Sequence, residues 1–213
     1  MADELIFYTN PMSRGQIVRW MLEEVSVPYE AKILGYGTSM KDDAYLAVNP
    51  MGKVPAIVHD GKVVTECAAI CAYLADAFPS AGLAPAAADR ADYYRWMFFA
   101  AGPVEQAITA RHFGIEPDAD QQRSAGFGTL EHALGALETA VNGKTWVAGD
   151  GFTAADVYVG SQIDWGLQFG TIPSRPAFDA YAARLRERAG YKRAKEIDNG
   201  LIAEMQAANP PTA

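Results

Sequence analysis

A chain of 213 residues, half of them hydrophobic, carries enough apolar surface for one or two ordinary cores. Its formal charge of −8 and the lack of any Lys/Arg-rich run argue against nucleic acid or an anionic membrane as partner. No apolar stretch reaches the length of a bilayer span, and the opening Met1-Ala2-Asp3-Glu4 has no basic segment of the signal-peptide kind.

Residues 4–8 are rich in strand formers and end at Asn10-Pro11-Met12-Ser13, a turn. Over 14–25, Ile17, Met21 and Val25 recur at helical spacing. Residues 29–34 return to strand-like alternation, which completes a βαβ unit and implies two parallel strands. A polar loop with one helical turn near 42–46 follows. Then Pro55-Ala56-Ile57-Val58 reads as a strand, Asp60-Gly61 as a tight hairpin turn, and 62–65 as a second short strand. Asp-Gly between apolar runs suits the positive φ that a type I′ turn needs at both central residues. Pro55 cannot donate to a ladder, so it belongs at the start of its strand, and the backbone of Val54 is left outside the sheet. A helix over 66–78 begins with N–H groups that have no partner within it and suit a carboxylate. An extended free backbone beside such a helix start suits a small peptide. Cys67 and Cys71 share this helix and read as small buried thiols in a reducing cytoplasm.

Pro79-Ser80-Ala81-Gly82-Leu83-Ala84-Pro85 breaks the pattern and marks a boundary: a first domain over 1–79, a linker over 80–88 and a helical domain over 89–213. Residues 91–113 form one amphipathic run with Pro103 inside, where a kink or break is expected. A second helix is predicted over 121–141, with Phe127, Leu130, Leu134, Leu137 and Val141 on one face. Thr153-Ala154-Ala155-Asp156 reads as a capping box opening a buried helix that runs to about Phe169. Helices over 176–188 and 191–205 follow, and 209–213 reads as a mobile tail. The histidines His59, His112 and His132 have no ligand spacing, so no metal site is expected.

These features resemble the cytosolic glutathione transferase family, as a serine-type, bacterial-like member. The resemblance rests on Asn49-Pro50-Met51-Gly52-Lys53-Val54-Pro55, Glu66-Cys67 and Phe152-Thr153-Ala154-Ala155-Asp156 in their order, and it spans nearly the whole chain. It implies an α/β thioredoxin-like first domain, βαβ then ββα, followed by an all-α domain. It also implies glutathione as co-substrate, no metal, and a homodimer. Pro55 matches the family's cis-proline. Val54 matches the residue whose backbone pairs with the cysteinyl unit, Lys53 lies where the glycyl end is held, and Glu66 and Cys67 match the Glu/Gln-Ser pair that binds the γ-glutamyl group. Cysteine at 67 is a departure, because its S–H is a weak donor.

Conjugation requires the thiolate, and a free thiol titrates at about 8.5, so the protein must stabilise the anion near neutral pH. A hydroxyl between a strand end and a helix start would do this. Ser13 occupies that position and resembles the family's catalytic serine; as a plain N-cap it would be equally at home. Tyr8 is the rival, at the strand position where other classes use a tyrosine, and backbone groups, Asn10 or Arg14 are further alternatives. With no thiol in 10–13, glutaredoxin-like chemistry is not expected. Met12, Tyr36, Phe99, Phe113, Trp165 and Phe169 are the candidates for an apolar second-substrate pocket around the cleft between the domains. The expected reaction is detoxifying conjugation of glutathione to a hydrophobic electrophile. Glutathione-dependent peroxide reduction and a non-catalytic binding member are the alternatives.

Overall fold

The structure is a computed structural model that describes residues 4–208, so the predicted tail over 209–213 lies outside the described residues. Leu5–Thr9 (β1) alternates buried and half-buried side chains along its length. Gly15–Val25 (α1) follows and ends at Ser26, which closes it in the left-handed conformation, its N–H bonded to the Leu22 carbonyl. Glu30–Ile33 (β2) pairs parallel to β1, which completes the predicted βαβ unit. After the short helix Asp43–Leu46 (α2), Ala56–His59 (β3) and Lys62–Thr65 (β4) form the antiparallel hairpin. Asp60 and Gly61 stand at φ 48° and 76°, as the Asp-Gly signal requires. The sheet order is β2-β1-β3-β4, with β3 antiparallel to β1.

The two faces of β1 carry different neighbours. Phe7, fully buried, stacks under the Arg19 guanidinium of α1 at 5.1 Å, and Thr9 points at Gly15. On the other face Tyr8 packs with Met40, Tyr45 and Ala56. Cys67–Ala77 (α3) packs beside α1.

The chain divides into two compact units, one running through Ala81 and rejoined from Arg188 onward, the other Gly82–Glu187. The last helix, Ala189–Ala208 (α10), was assigned by the sequence pattern to the helical domain over 89–213; it packs instead on α1 of the first unit. Three pairs fix its direction: Glu24 with Arg188 at 2.7 Å, Trp20 with Tyr191 edge-on at 5.2 Å, and Gln16 with Lys195 at 2.8 Å. Across these three pairs numbers rise along α10 as they fall along α1, the pattern of an antiparallel pair. Arg19 anchors the same interface, its Nε donating to Asp198 at 2.9 Å with both side chains almost wholly buried. Its Nη1 donates to the Tyr29 hydroxyl, which donates onward to Glu23. Burial pushes the Tyr29 pKa up to about 12.

The second unit is helical. Ala91–Phe99 (α4) continues through a wider, π-type turn at Ala100–Val104 into Glu105–His112 (α5). Pro103 has no N–H to send back to the Phe99 carbonyl, and the irregularity expected there, a kink or a break, takes the form of this wider turn, through which the helix runs on. The single helix predicted over 121–141 is in fact two: Gln121–Ser124 (α6) and Leu130–Val141 (α7). Gly128 at φ 62° turns the chain between them, and Thr129 caps α7 by accepting the His132 N–H at 3.1 Å. Phe127 therefore sits in the connecting loop, while Leu134, Leu137 and Val141 keep their predicted buried face. Ala154–Phe169 (α8) is buried over most of its length and begins with the predicted capping box. Pro176–Arg186 (α9) completes the unit, with Pro176 in its first turn. Among the described residues no helix is long and apolar enough to cross a membrane, and no three His, Cys, Asp or Glu side chains are grouped to hold a metal ion.

Candidate functional site

The loop between β1 and α1 is built by its own polar groups. Asn10 folds its side chain back: Oδ1 accepts the Met12 N–H at 2.9 Å, and Nδ2 reaches the Leu34 carbonyl at the end of β2 at 2.7 Å. Ser13 is 8% exposed. Its hydroxyl donates to the Asn10 carbonyl at 2.6 Å, and the same carbonyl takes the Ser13 N–H at 3.0 Å. Ser13 Oγ also accepts the Gly15 N–H at 2.9 Å, which puts it at the mouth of α1. The approach of β1 to this helix start is close enough to exclude a side chain at 15. A Cβ there would lie 2.0 Å from Thr9 Oγ1 and 3.0 Å from Ser13 Oγ.

A second loop repeats the device. Asn49 Oδ1 accepts the Met51 N–H at 3.1 Å, and its Nδ2 donates to the Lys53 carbonyl at 2.8 Å. The Tyr45 hydroxyl donates to that carbonyl as well, and burial raises the Tyr45 pKa to about 12. Lys41 Nζ holds the Met51 and Gly52 carbonyls at 3.2 and 3.0 Å. These bonds turn the loop carbonyls inward and present Val54 at the head of β3. The Val54–Pro55 bond is cis. The ladder begins at Ala56, paired with Tyr8 and Thr65, so the Val54 backbone lies outside the paired register. The Lys53 side chain is exposed.

Glu66, exposed, precedes α3 at φ 66°, ψ 119°. A non-glycine residue held there costs roughly 1–3 kcal/mol, and such positions cluster where a ligand is gripped. Cys67 Sγ donates to the Arg14 carbonyl at 3.5 Å. The starts of α1 and α3, carrying Ser13 and Cys67, are thereby tied together. Cys71, one turn on, is fully buried, and desolvation raises its thiol pKa well above the ordinary value.

Tyr8 lies apart from that cluster. Its ring faces Tyr45 at 5.3 Å and Lys32 Nζ at 5.7 Å, on the sheet face opposite Thr9 and Gly15. Among the pocket candidates, Met12 and Tyr36 come together, the Tyr36 hydroxyl donating to the Met12 carbonyl at 3.2 Å. Both are more than half exposed, immediately beside Ser13. In the second unit Phe99 stacks edge-on with Trp96, Phe113 lies against His112, and Trp165 meets Phe169 at 6.1 Å. Two clefts of about 360 and 330 Å³ there share Arg111, Leu130 and Glu131, and the candidates Phe99, Phe113, Trp165 and Phe169 line neither one.

The sequence does not single out Tyr45 or Lys41, and it places Asn49 in the motif and Asn10 in the turn without showing that their side chains close the two loops. A signal for both loops was present: Asn-Pro-Met occurs twice, at 10–12 and 49–51, and Asn before Pro favours a side-chain-closed turn.

Comparison with known proteins agrees with this arrangement. The profile described as "Glutathione S-transferase, N-terminal domain" matches residues 12–77, and "Glutathione S-transferase, C-terminal domain" matches 98–189. Glutathione S-transferase GST-4.5 of Xanthomonas campestris is 30% identical over 201 residues, covering 90% of this chain and 97% of its own. A crystal structure of a glutathione transferase from Methylococcus capsulatus is similar with a TM-score of 0.76 at 27% identity, over 92% of this chain and 98% of that one. A sphingomonad glutathione S-transferase complexed with glutathione has a TM-score of 0.74 at 28% identity, over 91% and 98% of the two chains.

Proposed function

This chain belongs to the glutathione S-transferase family, and from that premise we propose that it binds reduced glutathione in its first unit and adds the sulfur to an apolar electrophile. The observation that carries the reading is the meeting of two helix starts, Ser13 at α1 and Cys67 at α3, tied through the Arg14 carbonyl. In this reading the backbone of Val54, outside the strand register, pairs with the cysteinyl unit and Lys53 faces the glycyl carboxylate. Glu66, with the Cys67 N–H, takes the γ-glutamyl group. Pro55 ends the β3 ladder so that Val54 remains available. The thiol then lies beside Ser13, where a hydroxyl and the positive end of α1 favour the anion. The thiolate lone pair forms the carbon–sulfur bond, while the thiol proton leaves to solvent and the electrophile's displaced group or π-electron pair takes up the negative charge.

The exposed apolar surfaces of Met12 and Tyr36 next to Ser13 support an apolar partner for the sulfur. Phe99, Phe113, Trp165 and Phe169 are proposed as further residues that meet the apolar second substrate. Cys67 and Cys71 are both free thiols and suit a reducing cytoplasm. A rival reading is a glutathione-binding member without thiol activation. It draws on the Ser13 hydroxyl's present bond to the Asn10 carbonyl.

Calorimetry with reduced glutathione should show saturable binding at millimolar ligand or below, with retention on immobilised glutathione. No heat of binding at millimolar ligand would remove the conjugating and the binding-only readings together.

We also propose a two-fold homodimer. Tyr94 and Phe98 stand one turn apart on α4, 42% and 65% exposed, with their rings 6.3 Å apart. A partner covering this apolar pair would remove it from water. Light scattering should return about twice the 23.0 kDa chain mass. A single-chain mass across micromolar concentrations would refute the dimer.

A further inference from the structure

Side chains from different parts of the unit hold carbonyls of the β1–α1 loop. Asn10 is held by Ser13, Met12 by Tyr36, and Arg14 by Cys67. The Pro11 carbonyl accepts from Gln16 Nε2, a side chain in the first turn of α1. Gln16 has a second bond: its Oε1 accepts from Lys195 Nζ at 2.8 Å. Lys195 belongs to α10, which packs on α1.

We propose that Gln16 and Lys195 are positioning residues for the loop that carries Ser13. Lys195 acts from the last helix, through the Gln16 amide, on the Pro11 carbonyl. An ammonium donating to the amide oxygen orients the amide and polarises its N–H groups, which makes Nε2 the stronger donor to Pro11. Helix attachment alone does not need this link. The buried Arg19–Asp198 pair, the Glu24–Arg188 pair and the Trp20–Tyr191 stack already fasten α10 to α1. The catalytic consequence rests on the reading of Ser13 given above, whereas the loop tie itself does not.

The decisive variants are Gln16→Met and Gln16→Glu, read first without glutathione by amide hydrogen exchange. A carboxylate at 16 still meets Lys195, now as an ion pair, but has no N–H for the Pro11 carbonyl. Gln16→Glu should therefore melt at or above the parent's temperature. Yet the Met12 and Ser13 amides should exchange about threefold to tenfold faster in both variants, the worth of one hydrogen bond. Lys195→Met should give a smaller change of the same sign, and Lys195→Arg should restore parent rates. In turnover with glutathione, Gln16→Met should lower kcat and leave the KM for glutathione nearly unchanged. Unaltered exchange at Met12 and Ser13 in both Gln16 variants would overturn the proposal. So would faster exchange spread evenly through β1 and α1, because that is the mark of a tether alone. If the parent fails to bind glutathione, the functional reading falls, and the exchange result still decides the positioning role.

Discussion

Replacing Asp156 by alanine is expected to destabilise the helical unit by about 3–5 kcal/mol, well beyond the roughly 0.5–2 kcal/mol of an ordinary helix cap. Asp156 is fully buried and each oxygen is used twice. Oδ2 accepts the Thr153 N–H at 2.8 Å, the return bond of the capping box, and the Thr153 hydroxyl at 3.0 Å. Oδ1 accepts the Val147 N–H at 2.8 Å and the Tyr181 hydroxyl, which come from the preceding loop and from α9. The carboxylate thus holds the start of α8, the turn before it and α9 at one point. Burial raises the Asp156 pKa, and its four hydrogen bonds act in the opposite sense. Truncation removes the acceptor for all four donors at once, and a buried donor left unpaired costs about 1–3 kcal/mol. Asparagine is a poor substitute, since its amide nitrogen would face donors on one side. Thermal unfolding should shift down by roughly 2–4 °C per kcal/mol in a chain of this size. Glutathione affinity in the folded fraction should be unchanged, because Ser13, Val54 and Cys67 belong to the other unit. A variant that melts with the parent would show that the four bonds do not form.

The same residue shows how far the sequence could be read. Thr153 and Asp156 are three apart, so a local rule finds the box; Val147 is reached across a turn, and Tyr181 lies on another helix. Short-range chemistry was legible elsewhere too: the Asp60-Gly61 turn, the strand that opens directly after Pro55 and the βαβ unit follow from local pattern. The split of 121–141 was within reach as well. Gly126 and Gly128 stand directly before Thr129, but the apolar face on either side concealed the break. What local patterns could not supply is the docking of α10. Its partners on α1 lie far away in sequence, and a buried Arg19 reads as an ordinary polar residue until Asp198 is beside it. Tyr8 and Ser13 were rivals for a related reason. Strand alternation separates Tyr8 from Thr9, but which face α1 covers is a fact of packing.

Removal of the Ser13 hydroxyl should raise the pKa of bound glutathione's thiol by roughly one to two units. A hydrogen bond to a charged acceptor is worth about 1.5–3 kcal/mol, and one unit corresponds to about 1.36 kcal/mol. The hydroxyl now donates to the Asn10 carbonyl, so it must turn to meet a sulfur. That turn costs little, because the same carbonyl keeps the Ser13 N–H. Meanwhile the Gly15 N–H on Ser13 Oγ polarises the hydroxyl and makes it a better donor. A higher thiol pKa means less thiolate below it. Turnover of Ser13→Ala near neutral pH should thus fall about tenfold or more and recover in part as pH rises through the new pKa. Glutathione affinity should fall only modestly, since Val54, Glu66 and Cys67 are proposed to hold the rest of the tripeptide. Tyr8→Phe should leave the titration almost untouched, because that ring packs with Tyr45 on the sheet face away from Ser13. The measurement is the ultraviolet absorbance of the bound thiolate against pH in the parent and both variants. A shift in Tyr8→Phe with none in Ser13→Ala would transfer the role to the tyrosine. No shift in either would leave thiolate stabilisation to the backbone N–H groups at the start of α1.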